Sequence, residues 1–305
     1  MGTRTDEDTS FAILDRYAEA GGSFIDTSNN YAFWVNGTQG GESEALLGRW
    51  LKSRGVGDEM TIATKLGGRP NFPTTTFSHD VEVQSATRIR EAAEESLERL
   101  GRPRIDLYYS HILDGRVAVE EQVEGFAALV ADGLVHLVGA SNHWSWALER
   151  ARSIAAQRGL PSYDVLQYAH TYLSSRTDQP TMRSPEGQIG VADGNVLSYV
   201  RTQPGMTLVA YSPLLGGAYV RDDKQLGTRF DHAGTAARRT ALAEVSAETG
   251  ATPNQVVLSW LIGGETPAIP LVGASSVAQL DETLGAATLE LPGEQRARLD
   301  AAGTD

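Results

Sequence analysis

The feature that most constrains this chain is a rhythm. Short apolar runs rich in Val, Ile and Tyr alternate with longer stretches of helical periodicity along all 305 residues. Such alternation is the pattern of repeated βα units, which build a parallel sheet with helices packed on it. The strand-like runs are Ser23 to Asp26, Met60 to Lys65, Ile105 to His111, Leu134 to Ser141, Val165 to Tyr168, Thr207 to Tyr211 and Ala268 to Gly273. Helical periodicity fills Thr9 to Ala20, Ser43 to Ser53, Ser85 to Arg99, Val119 to Asp132, Trp144 to Arg158, Ala236 to Thr249 and Pro253 to Ile262. It returns near Val277 to Gly285 and Gly293 to Ala301. Thr252 before Pro253 reads as a helix start, and Gly101 and Gly159 read as stops.

The predicted fold class is α/β, a (β/α)8 TIM barrel whose usual length, roughly 250 residues with loops added, suits this chain. No Pro/Ser-rich linker separates halves, so residues 1–305 are expected to form a single domain. Seven strands cannot close an eight-stranded ring without exposing sheet edges. The first strand is already preceded by a helix, so the missing N-terminal strand is expected before residue 1. Either the chain has been cut short or an atypical element covers the seam. The segments Met182 to Gln203 and Leu214 to Gly234 are rich in Gly, Pro and Asp and are expected to be surface loops.

Charge narrows the partners. With 26 Lys and Arg against 39 Asp and Glu, the net charge is −13, which disfavours nucleic acid and anionic membrane surfaces. There is no cysteine, so disulfides and thiolate metal sites are excluded. Neither a signal-peptide pattern nor an apolar stretch of about 18 residues is present, and the cytoplasm is the expected compartment.

Four polar residues fall at the C-terminal ends of consecutive strand-like runs, where barrel enzymes keep their chemistry. They are Asp26 and Tyr31 in Phe24-Ile25-Asp26-Thr27-Ser28-Asn29-Asn30-Tyr31, Lys65 in Ile62-Ala63-Thr64-Lys65, and His111 after Tyr108-Tyr109-Ser110. Taken singly, Asp26 reads as a loop cap, Tyr31 as a rim aromatic and Lys65 as a solvated charge. As an ordered set they carry more. With Gly40-Gly41-Glu42-Ser43-Glu44, Gly139-Ala140-Ser141-Asn142, Gln167, Tyr211-Ser212-Pro213-Leu214, Gly273-Ala274-Ser275-Ser276 and Gln279-Leu280, the chain resembles the aldo-keto reductase family over nearly its whole length.

That resemblance implies an enzyme that reduces an aldehyde or ketone to an alcohol with a nicotinamide cofactor. Hydride delivery leaves negative charge on the carbonyl oxygen, so a proton donor and a positive environment must meet it. Tyr31 would be the donor. Lys65 would ease proton release, Asp26 would keep the buried lysine charged, and His111 would orient the carbonyl.

The resemblance also implies that Ser141, Asn142 and Gln167 bind the nicotinamide carboxamide and that Tyr211 stacks on its ring. Ser212, Pro213, Leu214 and Leu215 would follow the pyrophosphate, and Gly273, Ser275, Gln279 and Glu282 the adenosine end. Many relatives place an arginine where this chain has Ser275 or Ser276, and an asparagine where it has Thr283. The double-serine form also occurs in the branch that includes potassium-channel beta subunits, which hold NADPH. NADPH is therefore the expected cofactor, with NADH as the alternative, and Arg221, Lys224 and Arg229 could replace the missing charge. Trp34, His143 and Trp144 are expected to line the pocket of a small-molecule carbonyl substrate. The competing reading is a cofactor-binding, redox-sensing module of the channel-subunit kind, which retention of all four catalytic residue types disfavours.

Overall fold

The computed structural model describes residues 3, 5–35, 37–179 and 187–303. Seven strands occur among them: β1 (Phe24–Asp26), β2 (Thr61–Leu66), β3 (Ile105–Ser110), β4 (Val135–Ser141), β5 (Tyr163–Ala169), β6 (Thr207–Tyr211) and β7 (Ala268–Pro270). The helices are α1 (Glu7–Glu19), α2 (Glu42–Arg54), α3 (Ala86–Leu100), α4 (Val119–Ala131), α5 (Ser145–Arg158), α6 (Gly194–Thr202), α7 (Ala233–Thr249), α8 (Pro253–Ile262), α9 (Val277–Leu284) and α10 (Gly293–Ala301). The alternation expected from the sequence is therefore present, and no eighth strand is found among the described residues. Nor is any described helix long and apolar enough to cross a membrane.

One segment departs from expectation. Met182 to Gln203, read as a surface loop, lies partly outside the described residues, but its second half is α6. Asp193 caps that helix by accepting from the Val196 amide at 2.9 Å, and Val196 and Val200 bury one face. Val196, Leu197, Tyr199 and Val200, all within about one turn, and one cap are enough for nine residues. They are too few to stand out beside Gly, Pro and Asp.

The chain divides into two compact units, one comprising Met1–Leu166 with Ser275–Val277, the other Gln167–Ala274 with Ala278–Asp305. In the first, β1, β2, β3 and β4 pair in parallel and in chain order, with Asp26 opposite Ala63, Lys65 opposite Tyr109, and Ser110 opposite Ala140. Its core gathers Leu14, Leu46, Leu47, Trp50, Leu51, Met60, Ile62 and Leu100 between helices and strands. In the second, β6 pairs with β7 in parallel, and α7, α8 and α10 close on Leu242, Val245, Val256, Val257, Leu261 and Leu299. The Thr252 side chain and Gln255 form a reciprocal capping box at the start of α8, with Pro253 in its first turn.

The run Gly40-Gly41-Glu42-Ser43-Glu44 has a structural job. Gly40, at φ 95°, packs so closely on the Asn29 carbonyl that a Cβ would lie 2.6 Å from it, which only glycine permits. One helical turn later the fully buried Glu44 accepts from Thr64 Oγ1 on β2 at 2.5 Å and from Arg99 Nε on α3 at 2.6 Å. Ser43 accepts from Thr27 Oγ1, just past β1, at 2.8 Å. Thus α2 ties down the ends of β1 and β2 where the polar residues cluster. Removing one member of a buried ion pair strands the other charge, whereas replacing both by apolar groups is far milder. Arg99→Ala should lower the unfolding free energy by about 3–5 kcal/mol in urea titration. The double variant Glu44→Leu/Arg99→Leu should lose less than the single one, and an equal loss would show that the charge pairing does not matter.

Candidate active site

Strand β1 ends at Asp26, and the chain then turns tightly through Thr27 to Phe33. Tyr31 N donates to Ser28 O at 3.1 Å and Phe33 N to Asn30 O at 3.1 Å. Ala32 stands in the left-handed region at φ 83°, a conformation that costs about 1 kcal/mol or more for a residue with a Cβ. This strained turn brings Tyr31 back over the ends of β1 and β2.

There the Lys65 ammonium is fully buried and spends all three donors. Nζ donates to Asp26 Oδ2 at 2.5 Å, to Thr27 O at 2.6 Å and to Tyr31 Oη at 3.2 Å. It also lies 4.7 Å from the centroid of the Tyr31 ring. Burial works against the charge on Lys65, yet Asp26 and Tyr31 hold its pKa above the ordinary lysine value. Burial pushes the Tyr31 phenol above its usual pKa, with Lys65 opposing and Asp26 reinforcing. At neutral pH the pair is therefore an ammonium beside a protonated phenol.

His111 follows β3, its amide bonded to Leu66 O at 2.9 Å and its ring 6.2 Å from that of Tyr31. Its ring is held by a relay. Asn30 Nδ2 donates to Gly68 O at 2.9 Å, which orients the amide and leaves Oδ1 to accept from the Ser28 hydroxyl at 2.7 Å. With its proton so committed, Ser28 Oγ accepts from His111 Nδ1 at 3.2 Å. In the neutral ring this contact favours the tautomer with its proton on Nδ1. A Cβ at Gly68 would sit 2.8 Å from both Asn30 Nδ2 and His111 Nδ1, so the relay needs glycine there.

Asp26, Tyr31, Lys65 and His111 are thus brought together. Ser141 is buried at the end of β4, and Asn142, at φ 57°, donates to His111 O at 2.9 Å and to Ser141 Oγ at 3.0 Å. Trp34 is half-buried, its ring 6.0 Å from that of Tyr31. His143 is buried, its Nδ1 2.7 Å from Ser141 O and its Nε2 3.3 Å from Ser110 Oγ, with its ring packed 5.9 Å from Tyr163. Trp144 is half-buried at the start of α5.

In the second unit, Gln167 is buried in β5 and Tyr211 ends β6, its hydroxyl donating to Gly190 O at 3.2 Å. Ser212 is exposed at φ 54°, Pro213 O accepts from Thr171 Oγ1 at 2.6 Å, and Leu214 and Leu215 pack on the second core. Gly273 and Gln279 are exposed, as is Ser275 of the first unit. Glu282 instead accepts from Thr252 Oγ1, and its backbone carbonyl accepts from Gln255 Nε2 at 2.8 Å, anchoring α9 to α8. Of the loop cations, Arg221 forks onto Asp223 at 2.9 and 2.6 Å, and Arg229 lies over the Phe230 ring.

The sequence pattern described as the Aldo/keto reductase family matches residues 1–304. The chain belongs to the aldo/keto reductase family. It is 31% identical over 304 residues to norsolorinic acid reductase stcV of Emericella nidulans, covering 97% of this chain and 72% of that protein. It is 30% identical to the uncharacterized oxidoreductase YrpG of Bacillus subtilis, covering 96% and 86%, and 28% identical to aldo-keto reductase str7 of Strobilurus tenacellus, covering 96% and 81%. Membership makes this aldo/keto reductase an oxidoreductase of a family that works on small carbonyl compounds with NAD(P)H.

Ser28, Asn30 and Gly68 were not singled out by sequence reasoning. The signal available was the unbroken polar run Thr27-Ser28-Asn29-Asn30 between a strand end and the tyrosine.

His143 gives this aldo/keto reductase a measurable acid sensitivity. Burial lowers its pKa to about 4 from an ordinary value near 6.5. Between those values the unfolded chain binds the proton and the folded one does not, so stability is full above pH 6.5 and is lost as pH falls toward 4. His170, likewise lowered to about 4 by burial, acts in the same direction. Urea titrations at pH 7 and 4.5 should show His143→Asn with a shallower acid loss than the unsubstituted protein, and parallel losses would remove His143 from this account.

Proposed function

We propose that this family member is a single (β/α)8 barrel enzyme, cytoplasmic, that reduces an aldehyde or ketone to an alcohol with NADPH and with Tyr31 as the proton donor. The observation that carries the reading is the Lys65 ammonium, buried and bonded at once to Asp26, Thr27 O and Tyr31 Oη.

The residues suit a nicotinamide. Ser141, Asn142 and Gln167 offer the hydroxyl and amide groups that a carboxamide pairs with, and Tyr211 offers a flat ring. Asn142 already stands in a left-handed turn with its side chain against His111 O, fixed before any ligand binds. Ser212, Pro213 and Leu214 would follow the pyrophosphate, and Gly273, Ser275, Gln279 and Glu282 the adenosine end, Glu282 acting partly through its hold on α8. The run Gly273-Ala274-Ser275-Ser276 supports NADPH over NADH through its likeness to the double-serine branch.

When bound, the cofactor supplies the hydride that forms the new C–H bond at the carbonyl carbon. Tyr31 gives its phenolic proton to the carbonyl oxygen as charge develops there, completing the alcohol. Lys65 stabilises the phenoxide left behind, and Asp26 keeps Lys65 charged although it is out of water. His111 orients the carbonyl, while Ser28 and Asn30 hold its Nδ1. Trp34, His143 and Trp144 would line the substrate pocket, with His143 also held against Ser141 O.

Tyr31→Phe should lower the turnover of NADPH with an activated aldehyde at least a hundredfold, within the range general acid catalysis contributes, roughly 10² to 10⁴. An unchanged rate would rule out Tyr31 as the donor. Fluorescence titration should find NADPH bound more tightly than NADH, and equal dissociation constants would refute the stated preference.

A further inference from the structure

We infer that Phe77 is the outer end of an aromatic shelf that starts at the proton donor and selects flat, multi-ring aromatic carbonyl compounds, an inference that rests on Tyr31 being that donor. Three rings succeed one another outward. The Trp34 ring lies 6.0 Å from Tyr31, and the Phe77 ring lies 6.2 Å from Trp34 and within 30° of parallel to it. Phe33, itself 1% exposed, braces both outer rings from below by edge contacts, at 5.2 Å to Trp34 and 5.3 Å to Phe77. Phe77 is 58% exposed despite this bracing. A large apolar ring held in register with two others while still facing water is a contact surface awaiting an apolar body.

The shelf is referenced to the chemistry through the loop that bears it. Residues 67–82 follow Lys65 by two positions and return on themselves, with Pro70 bridged to Val81 and Glu82 N donating to Arg69 O at 2.8 Å. Glu82, buried, fixes the base of this loop. Its Oε1 accepts from Gly67 N at 2.8 Å and from Asn29 Nδ2 at 2.8 Å, and its Oε2 accepts from Arg88 Nε at 3.2 Å. The same carboxylate therefore holds the segment leading to Tyr31 and the one leaving Lys65. Phe77 is set at a defined distance from the reacting atoms.

The geometry grades substrates by length. With its carbonyl at Tyr31 Oη, a one-ring aldehyde covers Trp34, whereas a body of three fused rings continues onto Phe77. Phe72, on the same loop and 47% exposed, makes no ring contact with the shelf among those described. It lines a cavity of about 260 Å³ with Arg69 and Asn71, a cavity that Phe33 also borders.

The test compares kcat/KM, with NADPH, for anthracene-2-carbaldehyde and benzaldehyde. In Phe77→Ala the ratio of the two should fall about tenfold, chiefly through the KM of the larger aldehyde, in line with an aromatic contact and the area it buries. Phe77→Leu should shift the ratio in the same direction, and Phe77→Tyr and Phe72→Ala should keep it. An unchanged ratio in Phe77→Ala, or an equal fall in Phe72→Ala, overturns the shelf while leaving the reductase intact. Failure of the unsubstituted protein to reduce either aldehyde overturns the reductase reading and the shelf together.

Discussion

The arrangement rests on one buried ammonium. Lys65 is fully buried, and a cation there is tolerable only if every N–H finds an acceptor and an opposite charge stands in contact. Asp26, Thr27 O and Tyr31 meet that demand together, and each comes from the short stretch closing β1. The backbone must therefore bend sharply after β1, which it does at the cost of an alanine in the left-handed region and with Gly40 pressed against the turn. A buried cation thus dictates local backbone geometry two strands wide.

Around that centre polar groups are settled in pairs rather than left to solvent. Glu44 joins α2, β2 and α3 beneath the turn, and Glu82 joins the turn to the loop after β2. Both carboxylates are buried, both are met by an arginine, and both touch a residue within two positions of Tyr31 or Lys65. The effect is a stiff bed for the four side chains, whose mutual distances govern the proposed proton transfer.

Much of this was legible in the residues. Every strand run and nine helices matched elements of the structure within a few positions, because parallel strands buried on both faces give continuous apolar runs and their helices give a clear period. The four residues at the strand ends were readable for the same reason, since the pattern that locates a strand also locates its end. Helix α6 was not, its apolar residues spanning barely more than one turn after a run of Gly, Pro and Asp, and it corrects the loop expected there. The relay from Gly68 through Asn30 and Ser28 to His111 was hidden for another cause. Each member is a short polar residue or a glycine, and such residues say nothing about direction until the chain's path sets which atom faces which. Phe77 was equally silent, for a phenylalanine in a loop gives no hint of the rings it will meet.

The loop of residues 67–82 has firmly tied feet and a tip that touches none of the reacting groups. In the proposed reductase, substitutions between Phe72 and His79 can therefore alter what the protein accepts without disturbing how it moves a proton. In evolutionary terms, this division lets a lineage try new metabolites by changing a handful of exposed codons while its chemical engine stays constant.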